Sequence, residues 1–179
     1  MGLIAIGGGT GTGKSTLSTA LGESLKAPVS SFSKIIKKEA IARGLPASNR
    51  DVLIEIGQSW VDSDPEGLCL TVLNDVDWSN NTIAIIEGFR HISVLQAMRK
   101  LVGAPNVVFV WLEAGEDVRK ARLKLRGDNV TAETLGTQDM KTTEVAVHDG
   151  SLQAEADILI DASKPFEEVL CQVLAEVNS

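Results

Sequence analysis

Eight consecutive residues, Gly8-Gly9-Thr10-Gly11-Thr12-Gly13-Lys14-Ser15, satisfy the pattern G-x-x-x-x-G-K-[ST] without a mismatch. Each residue type has a chemical use. Glycines allow successive backbone N–H groups to turn to one side and wrap an anion. A helix starting at the end of the run adds partial positive charge. Lys14 has the reach for the β- and γ-phosphates of a nucleotide, and the Ser15 hydroxyl can ligate Mg²⁺. Gly8 to Ser15, with Thr16 beside them, therefore form a candidate ATP site, with Mg²⁺ as the accompanying ion. The pattern arises by chance in roughly one chain in a hundred of this size, so context decides: it must follow a strand and open a helix. Leu3 to Ile6 is a short apolar run suited to a buried strand. Lys14 to Lys26 carries Leu17, Ala20, Leu21 and Leu25 at helical spacing. The rival dinucleotide pattern, G-x-G-x-x-G, is not met in residues 7–13.

Other residues could complete such a site. Ile83 to Ile86 is an apolar strand that delivers Glu87 at its C-terminal end, where ligands of parallel sheets bind. Glu87 is a candidate for the Mg²⁺ shell or for acceptor contact, or else a strand-end acid in water. Arg90 follows at once and can grip a phosphate bidentately. Arg119, Arg122 and Arg126 are spaced i, i+3, i+7 and share a helical face. They read equally as arginine fingers aimed at transferring phosphates or as a solvated face paired with Glu116 and Asp117. Lys34, Lys37 and Lys38 form a charge run of the kind usually found on a solvated face. His91 and His148 read as ordinary loop histidines. Trp60 and Trp78 could stack on a base but suit core packing better, and Trp111 belongs to a core strand.

The elements that must position these residues alternate. Strands are expected at Leu3–Ile6, Val29–Ser31, Thr82–Ile86, Val107–Leu112 and Ile158–Ile160. Helices are expected at 14–26, 32–44, from 49 or 51, from 64, and at 93–102, 115–126 and 165–177. This alternation predicts an α/β fold of three layers around a five-stranded parallel sheet. Two stretches break it. Residues 32–79 form an inserted helical lobe, and residues 127–150 form a polar segment without apolar period.

The 179 residues, 44% hydrophobic and 23% charged, suit a single domain. A net charge of −7 argues against nucleic acid and anionic membranes as partners. No run reaches the length of a membrane span. Cys69 and Cys171 have neither zinc nor C-x-x-C spacing, which predicts reduced thiols in a cytoplasmic protein, monomeric or homodimeric.

In order and type, these motifs resemble the adenylate-kinase-like P-loop kinases, which include nucleoside monophosphate kinases and dephospho-CoA kinase-like proteins. The resemblance spans nearly the whole chain. In monophosphate kinases the loop after the third strand reads Asp-Gly-Phe-Pro-Arg with a Gln beyond. Here Glu87-Gly88-Phe89-Arg90 and Gln96 are similar, with Glu for Asp and no Pro. The resemblance implies that Arg90 binds the acceptor phosphate and Gln96 its base. It places Ser33 and Lys37 in the acceptor lobe (32–79) and Ala162, Ser163 and Lys164 near adenine. It makes 127–150 a lid. That segment has no arginine, and Gln138-Asp139 stands where the family has Arg-Asp, which predicts weak closure and some ATP hydrolysis without acceptor.

The acceptor itself is a small molecule. Hydroxyl acceptors need a base, and in gluconate and shikimate kinases an Asp after the second strand serves. This chain has Ser30-Ser31-Phe32-Ser33 there, which leaves Glu39 or Glu87 as the carboxylates that could serve as a base. A phosphate acceptor needs cations instead, and Arg90 and Lys37 supply them. The expectation is transfer of the γ-phosphoryl group to a nucleoside monophosphate. A dephospho-CoA-like hydroxyl acceptor, or a nucleotide-binding module with weak ATPase activity, stands as the alternative.

Overall fold

A computed structural model describes residues 2–79, 82–125, 127 and 150–178. Five strands, β1 (Leu3–Gly8), β2 (Val29–Ser31), β3 (Ala84–Phe89), β4 (Val107–Glu113) and β5 (Ile158–Asp161), form one sheet in the order β2-β3-β1-β4-β5. Every neighbouring pair is parallel. The five expected strands and the parallel sheet are thus present. Strand β3 is longer than the apolar run suggests. It continues through Glu87 and Gly88 to Phe89, and the register with β1 shifts between Ile6 and Gly7.

The period of two along each strand divides the core. Leu3 and Ala5 face one layer with Ala84 and Ile86. Ile4 and Ile6 face the other with Ile85 and Val110. The first layer is covered by helices α2 (Phe32–Ala42), α4 (Pro65–Asn74) and α5 (Ile92–Val102). The second is covered by α1 (Lys14–Leu25) and the C-terminal α8 (Phe166–Val177). Leu3, Ile4 and Ile6 are fully buried, each contributing about 1.5–3 kcal/mol relative to exposure. A Cβ at Gly7 would lie 2.7 Å from Phe109 Cζ, so β1 leaves the sheet through a gap only glycine fits.

Helices α2, α3 (Arg50–Ser63) and α4 lie between β2 and β3 in sequence, and each starts on a recognisable cap. Ser31 accepts from the Lys34 N–H, Asn49 from those of Asp51 and Val52, and Asp64 from that of Gly67 with Pro65 at the first helical position. The last of these helices ends at Asn74, short of Ser79. Helix α6 (Glu116–Leu125) follows β4, and a one-turn helix α7 (Ser151–Ala154) precedes β5. Apart from Gly127 and Gly150, the segment expected to act as a lid lies outside the described residues. No described helix is long and apolar enough to cross a membrane.

Candidate active site

The glycine-rich loop leaves the C-terminal end of β1, beside the ends of β3 and β4. Gly8, Gly11 and Gly13 have φ of +135°, +83° and +98°, values that side chains disfavour. A Cβ at Gly8 would also sit 2.4 Å from the Leu112 carbonyl oxygen. Thr12 is buried, and its hydroxyl donates to the Gly9 carbonyl at 2.9 Å, so it braces the loop from within. Lys14 Nζ donates to the carbonyls of Gly8 and Gly9, both at 2.7 Å.

Ser15 Oγ donates to Glu87 Oε1 at 3.0 Å. The other carboxylate oxygen, Oε2, is buried and has no hydrogen-bond partner. Burial pushes the Glu87 carboxyl above the usual range, against the Ser15 hydrogen bond and the charges of Lys14 and Arg90. A divalent cation bridging Ser15 and Glu87 would satisfy that oxygen, so the pair fits a Mg²⁺ shell. No group of three or more His, Cys, Asp or Glu could hold a metal among the described residues. Mg²⁺ takes few protein ligands and completes its shell with phosphate and water.

A cleft of about 590 Å³ opens from this pair toward α2 and α3. Thr10, Gly11, Lys14, Ser15, Ser33, Lys37, Glu87 and Arg90 all line it, so residues spread over eighty positions of sequence converge. Arg90 is half-buried. Burial, followed by the charge of Arg50, lowers its pKa to about 10 against the pull of Glu87. The far wall is apolar, built by Ile36, Leu53, Ile54, Val61, Leu68 and Val94.

Among the titratable lining residues, two were not anticipated. Arg50 is the first residue of α3, where a cation opposes the helix dipole and an acid would be expected; that mismatch was the available signal. His91 precedes α5, and burial followed by the Arg90 charge holds its imidazole below the usual range despite Asp62. Gln96 was expected to touch the acceptor. It is exposed on α5 between buried Leu95 and Ala97 and does not line the cleft. Lys34 and Lys38 also turn away. They pair with Asp75 at 2.6 and 2.5 Å, joined there by Ser30 Oγ at 2.5 Å.

On the other side of the loop, a cavity of about 340 Å³ is lined by Gly13, Thr16, Arg122, Ala162, Lys164 and Phe166 among others. Arg119 is only 8% exposed, and its Nε donates to the Thr10 carbonyl at 2.7 Å. Arg122 donates from Nη1 to the Thr12 carbonyl at 3.0 Å and from Nη2 to the Ala162 carbonyl at 2.6 Å. Both guanidinium groups thus bond backbone around the loop. Arg126 lies outside the described residues.

No curated protein matches the chain in sequence. Solved structures do match in fold. A gluconokinase from Sinorhizobium meliloti 1021 superposes with a TM-score of 0.64 at 19% identity, covering 99% of this chain and 91% of that one. A sugar kinase from Janibacter sp. HTCC2649 gives 0.60 at 22%, covering 99% and 95%. A shikimate kinase from Acinetobacter baumannii, in complex with shikimate, gives 0.61 at 16%, covering 99% and 92%. The family described as AAA domain matches residues 4–136. With three quarters of its length in that match, the chain belongs to the AAA domain family, and it carries the three-layer α/β fold of the P-loop kinases.

Proposed function

We propose that this protein is an ATP-dependent small-molecule kinase whose acceptor carries its own phosphate, a nucleoside monophosphate in the first instance. One observation carries the reading: a single cleft joins the P-loop groups Lys14 and Ser15 to Arg90 and Lys37. Its described lining has four cationic side chains, those three cations and Arg50, against one carboxylate, Glu87. An acceptor phosphate held there is already an anionic nucleophile and needs no base. The apolar far wall suits a flat base better than a polyhydroxylated acid.

In this mechanism ATP lies along the loop with its base toward Ala162 and Lys164. Lys14 exchanges its carbonyl partners for phosphate oxygens and balances charge as the γ-phosphoryl group moves. Bound Mg²⁺, held by Ser15 and Glu87, would neutralise the β- and γ-oxygens. Arg90 and Lys37 hold the acceptor in line, which is where most of the rate advantage of such an enzyme lies. Residues 32–79 act as the acceptor lobe of one kinase domain.

A hydroxyl acceptor is the second reading. It is favoured by Glu87, a carboxylate on the cleft wall whose pKa burial raises and which could take the proton of an acceptor hydroxyl. An ADP-release assay over nucleoside monophosphates and phosphorylatable alcohols separates the two. Turnover with monophosphates supports the first; turnover only with alcohols supports the second; ADP release indifferent to every acceptor would sink both.

A further inference from the structure

Arg119 is the one charged side chain among the buried residues of the described chain, and it lies behind the glycine-rich loop rather than in the acceptor cleft. Helix α6 presses it there closely. A Cβ at Gly9 would meet Arg119 Cζ at 3.4 Å. One at Gly11 would meet the Arg119 carbonyl oxygen at 3.0 Å and Leu123 Cγ at 3.1 Å. Those two glycines therefore serve α6 on one side of the loop as well as an anion on the other.

A trans peptide is planar, with its C=O and N–H pointing in opposite directions. A donor that captures the Thr10 carbonyl from outside fixes the Gly11 N–H toward the inside. Arg119 Nε does this at 2.7 Å. Arg122 does the same to the Thr12–Gly13 peptide at 3.0 Å. Gly11 and Gly13 have the positive φ that such peptide orientations require. A positively charged donor also polarises the peptide it holds, which strengthens the opposite N–H as a donor.

We infer that Arg119 is a positioning residue of the phosphate site: from α6 it locks the Thr10–Gly11 peptide so that the Gly11 N–H faces the nucleotide phosphates, with Arg122 locking the Thr12–Gly13 peptide beside it. This departs from an arginine finger, which touches the transferring group and acts on the chemical step. It rests on reading the loop as the nucleotide site.

The test compares wild type with Arg119→Met, which keeps the bulk and loses the donor, and Arg119→Lys, which keeps the charge. Amide exchange across residues 9–14 is measured in protein without nucleotide, followed by ATP affinity by calorimetry and the steady-state constants. Arg119→Met is expected to exchange these amides about tenfold faster and to weaken ATP about tenfold, the scale of one charge-assisted hydrogen bond. Turnover at saturating ATP should change less than about threefold, with Arg119→Lys intermediate in all three. Unchanged loop exchange and ATP affinity would overturn the inference. So would a tenfold loss of turnover at unchanged affinity, the mark of a finger. If Arg119→Met fails to fold, Arg119→Lys carries the same comparison. If wild type binds no ATP, the proposed function fails, while loop exchange still decides whether Arg119 holds the peptide.

Discussion

Lys14 stands on two carbonyls of the loop it serves, at 2.7 Å from each, and its position needs no ligand to be defined. Removing it should therefore leave the fold intact while stripping the charge that meets the transferring phosphoryl group. Lys14→Ala is expected to lose at least about a hundredfold in turnover, as expected for groups that act on transition-state charge, with a melting temperature close to wild type. Initial rates and a thermal scan check both. Arg90 sits across the cleft, and Arg90→Ala should raise the Michaelis constant for the acceptor about tenfold or more while that for ATP changes little, a split visible in paired substrate titrations. The loop residues were legible in sequence because their chemistry is local: spacing, glycine content and the following helix are contiguous. Lys37 was legible only through resemblance. Arg50 and His91 were not, because their place beside Arg90 is made by packing α3 and the start of α5 around one cleft.

At the scale of elements, periodicity and caps located nearly every described helix, and apolar runs located every described strand. Boundaries drifted where polar residues continue an element. Glu87 and Gly88 read as the end of a strand, yet β3 runs on through them to Phe89, with Gly88 at a φ of +95°. Strand order is also absent from periodicity, since any parallel order buries the same apolar runs. The Asp64 cap offers a clean test. Its carboxylate accepts from the Gly67 N–H at 2.8 Å, and it does not line the cleft. Asp64→Ala should cost about 1 kcal/mol of stability, read as a lower urea midpoint, with both Michaelis constants unchanged at a permissive temperature.

At the scale of the whole molecule, one carboxylate, that of Asp75, ties β2, α2 and the end of α4 together. Burial alone would raise the Asp75 pKa, but hydrogen bonds from Lys34, Lys38 and Ser30 outweigh it and hold the carboxyl well below the usual range. A depressed folded pKa means that the unfolded chain takes the proton first. The stabilisation is present above about pH 4 and is lost as pH falls from there. Glu87, with its raised pKa, works in the opposite sense, so the Asp75 contribution is isolated by comparison with Asp75→Asn. The difference in urea midpoint between the two proteins should be large near about pH 7 and shrink toward about pH 3; a constant difference would show that the carboxylate's charge contributes nothing there. The route of the chain around this tether has an evolutionary consequence. The helices from Phe32 to Asn74 leave the sheet at β2 and return at β3, two strands that lie side by side in parallel register. The insertion thus has adjacent roots, and none of its helices includes a residue of the glycine-rich loop, Arg119 or Arg122. Selection could replace it as a cassette, rewriting what the cleft accepts while the phosphate donor machinery is inherited unchanged.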